Sequence, residues 1–213
     1  MERQGEAARS IVSSGTVTLE THGTPSDAEV LIVARREPSA VMIEVTHAWG
    51  QPLLRIQVNG TRLDVISFPE KRHYHGGLAN PWMLKQIPFP LDLDILWSIA
   101  RAYPVLPPYH AARSMKGDQV TLVDKADTPI QRVDLYPDSR LPRKVRWCCN
   151  GTAIEFSDFQ EEDGIPYATH IQVSDDQKTS LLTLRIREMA FNRSLPEAVF
   201  RQEAPPGFEV TPL

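Results

Sequence analysis

His73 and His75 are the residues whose types and spacing come nearest to metal chemistry. In an extended segment, residues two apart share a face, so both imidazoles could point at one ion. No neighbouring Cys or His completes a compact ligand set. The pair therefore reads as two alternating surface histidines at a strand end, and neither a metal nor another cofactor is expected. Cys148 and Cys149 are adjacent. Neighbours on a strand point to opposite faces, and a disulfide between them is strained. They read as small strand residues, Cys148 opposite Ala153 and Cys149 opposite Thr152. Three N-x-S/T sequons, at Asn59, Asn150 and Asn192, could accept a glycan. Two of them are Asn-Gly turn signals, which backbone geometry explains without a glycan. No G-x-S-x-G, H-E-x-x-H, phosphate-loop, dinucleotide or EF-hand pattern occurs. No Ser or Cys stands in a grouping with a His and a carboxylate. Missing motifs do not exclude an enzyme, but nothing in the sequence promotes one, and no catalytic residue is singled out.

Composition narrows the partners. The chain has 213 residues and a formal charge of −4, from 23 basic and 27 acidic residues. That mild acidity, with no long basic run, argues against nucleic acid as a partner. An apolar fraction of 41% fits a folded domain rather than disorder. The length suits one domain spanning residues 1–213, with residues 1–9 as a loose arm. Pro outnumbers Gly, 18 to 11, which disfavours long helical bundles. No run approaches the roughly 18 consecutive apolar residues of a membrane span. The first ten residues, MERQGEAARS, lack the apolar core of a signal peptide. The expectation is a cytoplasmic chain or one whose targeting segment lies upstream.

Period-two alternation predicts half-buried strands through most of the chain. It is clear at Val17 and Leu19, at Val41, Ile43 and Val45, and at Leu182, Leu184 and Ile186. It covers residues 16–68 and resumes after Asp118. Two hairpins can be given a register. A turn at Asn59-Gly60 sets Ile56 opposite Leu63 and Leu54 opposite Val65, with Arg55 meeting Asp64 and Gln57 meeting Arg62. A turn at Asn150-Gly151 sets Trp147 opposite Ile154 and Val145 opposite Phe156, with Arg146 meeting Glu155 and Lys144 meeting Ser157. Each arrangement gives one apolar and one polar face.

The stretch 78–109 is different, being rich in Pro and large apolar residues. Within it, residues 92–103 read as a helix, capped by Asp92 and stopped by Pro104. Asp94, Ser98 and Arg101 form one narrow polar stripe, and the remaining circumference is apolar. Such a helix must be covered on most of its surface. Leu93, Leu96, Trp97, Ala100 and Tyr103 make a continuous stripe, assigned here to a cavity. Ile95, Ile99 and Ala102 make a second stripe, assigned to the Pro-rich flanks. One reading is a permanent core helix. The other is a lid over a lipid-sized groove, with Trp82, Phe89, Trp97 and Tyr103 offering contact area to acyl chains. The fold class expected is mainly β: one curved antiparallel sheet with this helix on its concave side.

Four stretches carry a resemblance to a known superfamily. They are LIVARREPSAVMIEV, LLRIQVNGTRLDVISFPEKRHYHG, IPFPLDLDILWSIARAYPVLPP and FRQEAPPGFEV. Their order resembles the bacterial outer-membrane lipoprotein carrier and receptor proteins, the LolA/LolB-like superfamily. The resemblance implies an incomplete β-barrel whose hydrophobic cavity is roofed by a helical lid. It implies a non-enzymatic envelope protein that binds acyl chains of lipids or lipoproteins, monomeric and periplasmic or anchored to the outer membrane. A lipoprotein or membrane partner goes with it. The ligand-binding residues would be the helix stripe together with Ile56, Leu63, Trp147, Ile154 and Phe156. In the carrier, an arginine at a strand-to-strand turn helps hold the lid closed, and the matching positions here are Arg35 and Arg36. The chain departs from the pattern in two respects. Its N-terminal helix is short, ending near Ser14, and it lacks the receptor's lipid-modified Cys, so any anchor would lie upstream of Met1. An envelope scaffold or stress-sensing module, its cavity filled by its own side chains, is the alternative. A hydrolase acting on an acyl substrate is a third reading, which lacks a nucleophile grouping.

Overall fold

A computed structural model describes residues 7–21, 24–78, 92–175 and 180–213. Among the described residues, fourteen strands form one sheet. Six precede the helix: β1 (Ser10–Thr21), β2 (Thr24–Arg35), β3 (Ala40–Thr46), β4 (Pro52–Asn59), β5 (Arg62–Ser67) and β6 (Arg72–Gly77). Helix α1 (Leu93–Arg101) follows. The second series is β7 (Ala111–Lys116), β8 (Gln119–Val123), β9 (Pro129–Leu135), β10 (Pro142–Trp147), β11 (Ala153–Glu162), β12 (Ile165–Ser174) and β13 (Ser180–Phe191). A 3-10 turn (Glu197–Phe200) and β14 (Glu209–Pro212) close the chain.

The sheet order is β14-β6-β5-β4-β3-β2-β1-β13-β12-β11-β10-β9-β8-β7. Two antiparallel meanders are thus stitched together by β1 against β13. The terminal strands β14 and β7 do not pair, so the curved sheet stays open and is not a closed barrel. β14 alone among the described strands joins in parallel, against β6.

The inner face follows from alternation. Val30, Ile32 and Ala34 of β2, Val145 and Trp147 of β10, Ile154 and Phe156 of β11, and Ile171 and Val173 of β12 pack with the helix in one large cluster. Gly15 marks a break in the β1–β13 register. A Cβ there would lie 2.0 Å from the Arg185 carbonyl oxygen, so the close approach of the two strands requires glycine.

Several expectations are corrected. Both hairpins are displaced by two residues. In the first, Val58 faces Leu63, Ile56 faces Val65 and Gln57 faces Asp64. The loop is Gly60-Thr61, with φ +58° at Gly60, a glycine-first two-residue connection. Asn59 stays in the strand, where its Nδ2 donates to the Phe200 carbonyl (3.1 Å). Arg55 consequently pairs with Glu44 of β3 rather than Asp64. In the second hairpin Val145 faces Ile154 and Lys144 faces Glu155. Residues 148–151 form a four-residue loop: Trp147 N donates to Thr152 O (2.9 Å), and Gly151 N to Trp147 O (3.1 Å). Asn150 Oδ1 accepts from Thr152 N (3.0 Å), holding the Asn-Gly pair at the loop's end. Cys148 and Cys149 are exposed, free loop residues, not strand residues facing Ala153 and Thr152. A shift of two leaves every side chain on its expected face, so the faces are right although the partners are not.

β1 begins at Ser10, so no N-terminal helix extends to Ser14. β7 begins at Ala111, ahead of the resumption expected after Asp118. His73 is buried, not a surface residue.

Candidate functional site

The helix is positioned from its two ends by different means. Asp92 Oδ1 accepts from Ile95 N (2.7 Å), an N-cap that satisfies one of the free donors of the first turn. At the other end Ala102 adopts a left-handed conformation and closes the helix. Arg101 is fully buried there. Its Nη1 donates to the Pro166 carbonyl (3.0 Å), and its guanidinium lies over Phe191 (4.8 Å) and Tyr103 (5.3 Å). Burial pulls this guanidinium down to about 10, an effect that Tyr103 partly opposes. Ala168 N of β12 donates to Ala102 O (2.9 Å), and Gln131 Nε2 of β9 to Val105 O (3.0 Å). Ser98, also fully buried, donates to Asp94 O (2.7 Å) and accepts from Val105 N (3.0 Å). Ser98 and Arg101 of the polar stripe are therefore internal, and with the Val105 and Ala102 backbone they tie the exit of the helix to β9 and β12.

The entry end is held more lightly. Asp92, Leu93 and Asp94 are half-buried. Burial pushes both carboxyls up, and the charge of Arg36 pulls Asp94 back down. Arg36 is thus the basic residue whose charge acts on the helix. Arg35 turns to the opposite face of β2, where it pairs with Glu197, donates to Pro38 O (3.0 Å) and lies over Phe200 (4.6 Å). A lid-closing role for Arg35 does not fit that placement.

The expected ligand residues fall into two groups. Leu96 is buried with Ile56, Val58, Leu63, Val65 and Tyr74, and Leu93 packs against them. Leu78 and the terminal Leu213 complete this wall on β4, β5 and β6. Trp97 and Ala100 belong instead to the large cluster, with Trp147, Ile154 and Phe156. Tyr103 is buried edge-on to Phe159 (centroids 6.3 Å). The single stripe is therefore split between two apolar walls. The second stripe is also corrected: Ile95 and Ala102 enter the large cluster and Ile99 packs on it, joined by Val105 and Leu106 from the exit flank. Trp82, Phe89 and the rest of the entry flank, residues 79–91, lie outside the described residues.

The outer face carries two features that the sequence reading missed. The C-terminal segment crosses it, with Phe200 packed on Val33, Ala40 and Met42 and its carbonyl accepting from Gln57 and Asn59. Beneath the same face Asp64 accepts from Arg62 Nε (2.8 Å) and meets His73 Nε2 (3.1 Å). His73 and His75 do share a face, with ring centroids 6.1 Å apart. Among the described residues no group of three or more His, Cys, Asp or Glu is arranged to hold a metal. Trp49, at the tip between β3 and β4, is 75% exposed and stacks on His47. Among the described residues no helix is long and apolar enough to cross a membrane.

No protein-family model matches the sequence. No curated protein matches it either. Solved structures do. A DUF1329 family protein from Desulfovibrio piger superposes with a TM-score of 0.64 at 12% identity, over 93% of this chain and 92% of that one. A LolA superfamily protein from Nitrosomonas europaea gives 0.61 at 12% identity, over 94% and 95%. A candidate outer membrane lipoprotein-sorting protein domain from Vibrio parahaemolyticus gives 0.60 at 12% identity, over 93% and 92%. At such identity the likeness establishes the fold, which is LolA-like, as the four sequence stretches imply.

Proposed function

We propose that this LolA-like chain is a non-enzymatic acyl-chain binder of the bacterial envelope, acting as a periplasmic or outer-membrane-anchored monomer. The ligand, an acyl chain of a lipid or lipoprotein, enters between helix α1 and the wall of β4, β5 and β6. One observation carries the reading: the helix is bonded to the sheet at its exit, while its entry end rests on that wall through Leu93 and Leu96. Such a helix can swing about its C-terminal end. An acyl chain would then take the place of Leu93 and Leu96 against Ile56, Leu63, Val65 and Tyr74. Each buried methylene contributes roughly 0.8 kcal/mol, so a chain of eight or more carbons offsets the contacts it displaces. Arg36 acting on Asp94 would hold the lid shut until the ligand arrives. The lipoprotein-sorting description of one structural neighbour supports the lipoprotein class of ligand and the envelope location.

Leu96→Asp tests the site. An unpaired carboxylate facing the apolar wall should abolish binding of a fluorescent fatty-acyl probe while circular dichroism remains that of the parent. A folded Leu96→Asp variant that binds the probe equally well would exclude this wall.

A second reading rests on the burial of Ile95, Leu96, Trp97 and Ala100. The helix would then be a permanent filling, and the chain an envelope scaffold or stress-sensing module. Native mass spectrometry of the purified protein separates the two, since the first reading expects co-purified lipid or capture of added fatty acid and the second neither.

A further inference from the structure

We propose that Leu213 determines how long an acyl chain the wall of β4, β5 and β6 accepts. The inference rests on the acyl-binding reading above and extends it to one side chain. β14 is the outermost strand on its side of the sheet and pairs in parallel with β6. Its register sets Thr211 beside Tyr74, and Leu213 N, one residue past the strand, donates to His75 O (2.8 Å). Alternation then brings Leu213 to the face that Tyr74 and Gly76 share. Leu213 accordingly packs on the buried cluster that holds Leu63, Val65 and Tyr74. Gly76 makes room for it. This glycine stands opposite fully buried Leu63 across β5 and β6. A Cβ on Gly76 would lie 2.7 Å from Leu213 Cβ, closer than real contacts allow. The place that a side chain of β6 would take is thus filled from β14. A ligand chain lying across β4, β5 and β6 in place of Leu93 and Leu96 meets the Leu213 isobutyl group at the sheet edge. Removing that group would leave an apolar slot over Gly76, and apolar cavities stay dry and take up hydrocarbon. Each further methylene buried there tightens binding about fourfold.

The test measures binding of saturated fatty acids, from octanoate to stearate, to the full chain by displacement of a dansyl fatty acid. For the parent, affinity should climb with chain length and level off where the ligand meets Leu213. Leu213→Ala should move that plateau about two carbons further, so the longest acids gain on the order of tenfold and octanoate gains nothing. Leu213→Phe should move the plateau the other way. Glu209→Gln is the control, since it weakens the Arg72–Glu209 pair (3.3 Å) between β6 and β14 and leaves the Leu213 side chain unaltered. A parent without a plateau, a plateau that stays put in Leu213→Ala, a gain equal at all lengths, or the same shift in Glu209→Gln would overturn the inference and leave acyl binding standing. Absence of binding by the parent would instead refute the acyl-binding reading, and this inference with it.

Discussion

The two ends of helix α1 are built on opposite principles. The exit end is tied by directed bonds: Arg101 to Pro166, Ala168 to Ala102, Gln131 to Val105 and Ser98 to Val105. The entry end rests on non-directional apolar contact with β4, β5 and β6 and on a long-range charge from Arg36. Directed buried bonds fix geometry and are costly to break. Apolar contact can be exchanged for other apolar contact at little net cost. On the proposed function, the exit end would serve as a pivot and the entry end as a replaceable seat, as a lid over a hydrophobic ligand requires.

The largest expected effect is at the pivot. Arg101→Ala should remove the donor to Pro166 O, both ring contacts and the volume they fill. A loss of about 3 kcal/mol is expected in urea unfolding, with hydrogen exchange accelerated along the whole helix. If exchange rises only at residues 93–96, the pivot is elsewhere.

Less is expected at the charged seat, where the two arginines of the β2–β3 turn should separate. Arg36→Leu should speed amide exchange in the first helical turn by a few fold, in keeping with an exposed charge interaction of up to about 1 kcal/mol. Arg35→Leu should leave that exchange unchanged and loosen the segment around Glu197 and Phe200 instead. Equal effects of the two substitutions on the helix would erase the distinction between the faces of β2.

The distinction between pivot and seat was partly legible in the sequence. Asp92, Pro104 and the apolar circumference were enough to locate the helix, and strand alternation assigned inner and outer faces correctly. The pivot was not legible, because Ser98 and Arg101 read only as members of a narrow polar stripe with no partner that the sequence names. Their partners are Val105 of the exit flank and Pro166 and Phe191, which the second meander brings to them. The hairpin registers failed for a related reason. An Asn-Gly pair marks a turn, but its place within the loop depends on remote contacts such as that of Asn59 with Phe200. β14 has four residues and little alternation, and it exists because β6 offers an edge.

The smallest expected effect is that of pH on the seat. Burial raises the carboxyls of Asp92 and Asp94 above the ordinary 3.8. The folded state therefore holds these protons to higher pH than the unfolded chain does. Their contribution is fully present below 3.8 and is lost as pH rises through the raised values. Asp94→Asn removes that loss, so at neutral pH it should leave thermal stability equal to or slightly above the parent, by less than about 1 kcal/mol. A marked destabilisation would mean that the attraction of Arg36 outweighs the burial of Asp94.

Photo-crosslinking tests the seat as the ligand site most directly. A fatty acid carrying a diazirine along its chain is bound to the full-length protein, irradiated, and its attachment points are mapped by peptide mass spectrometry. Crosslinks on Leu93, Leu96, Ile56, Leu63 and Tyr74, competed by unlabelled fatty acid and absent in Leu96→Asp, are the predicted result. Crosslinks confined to the outer face, or none above those of an unrelated protein, would contradict it.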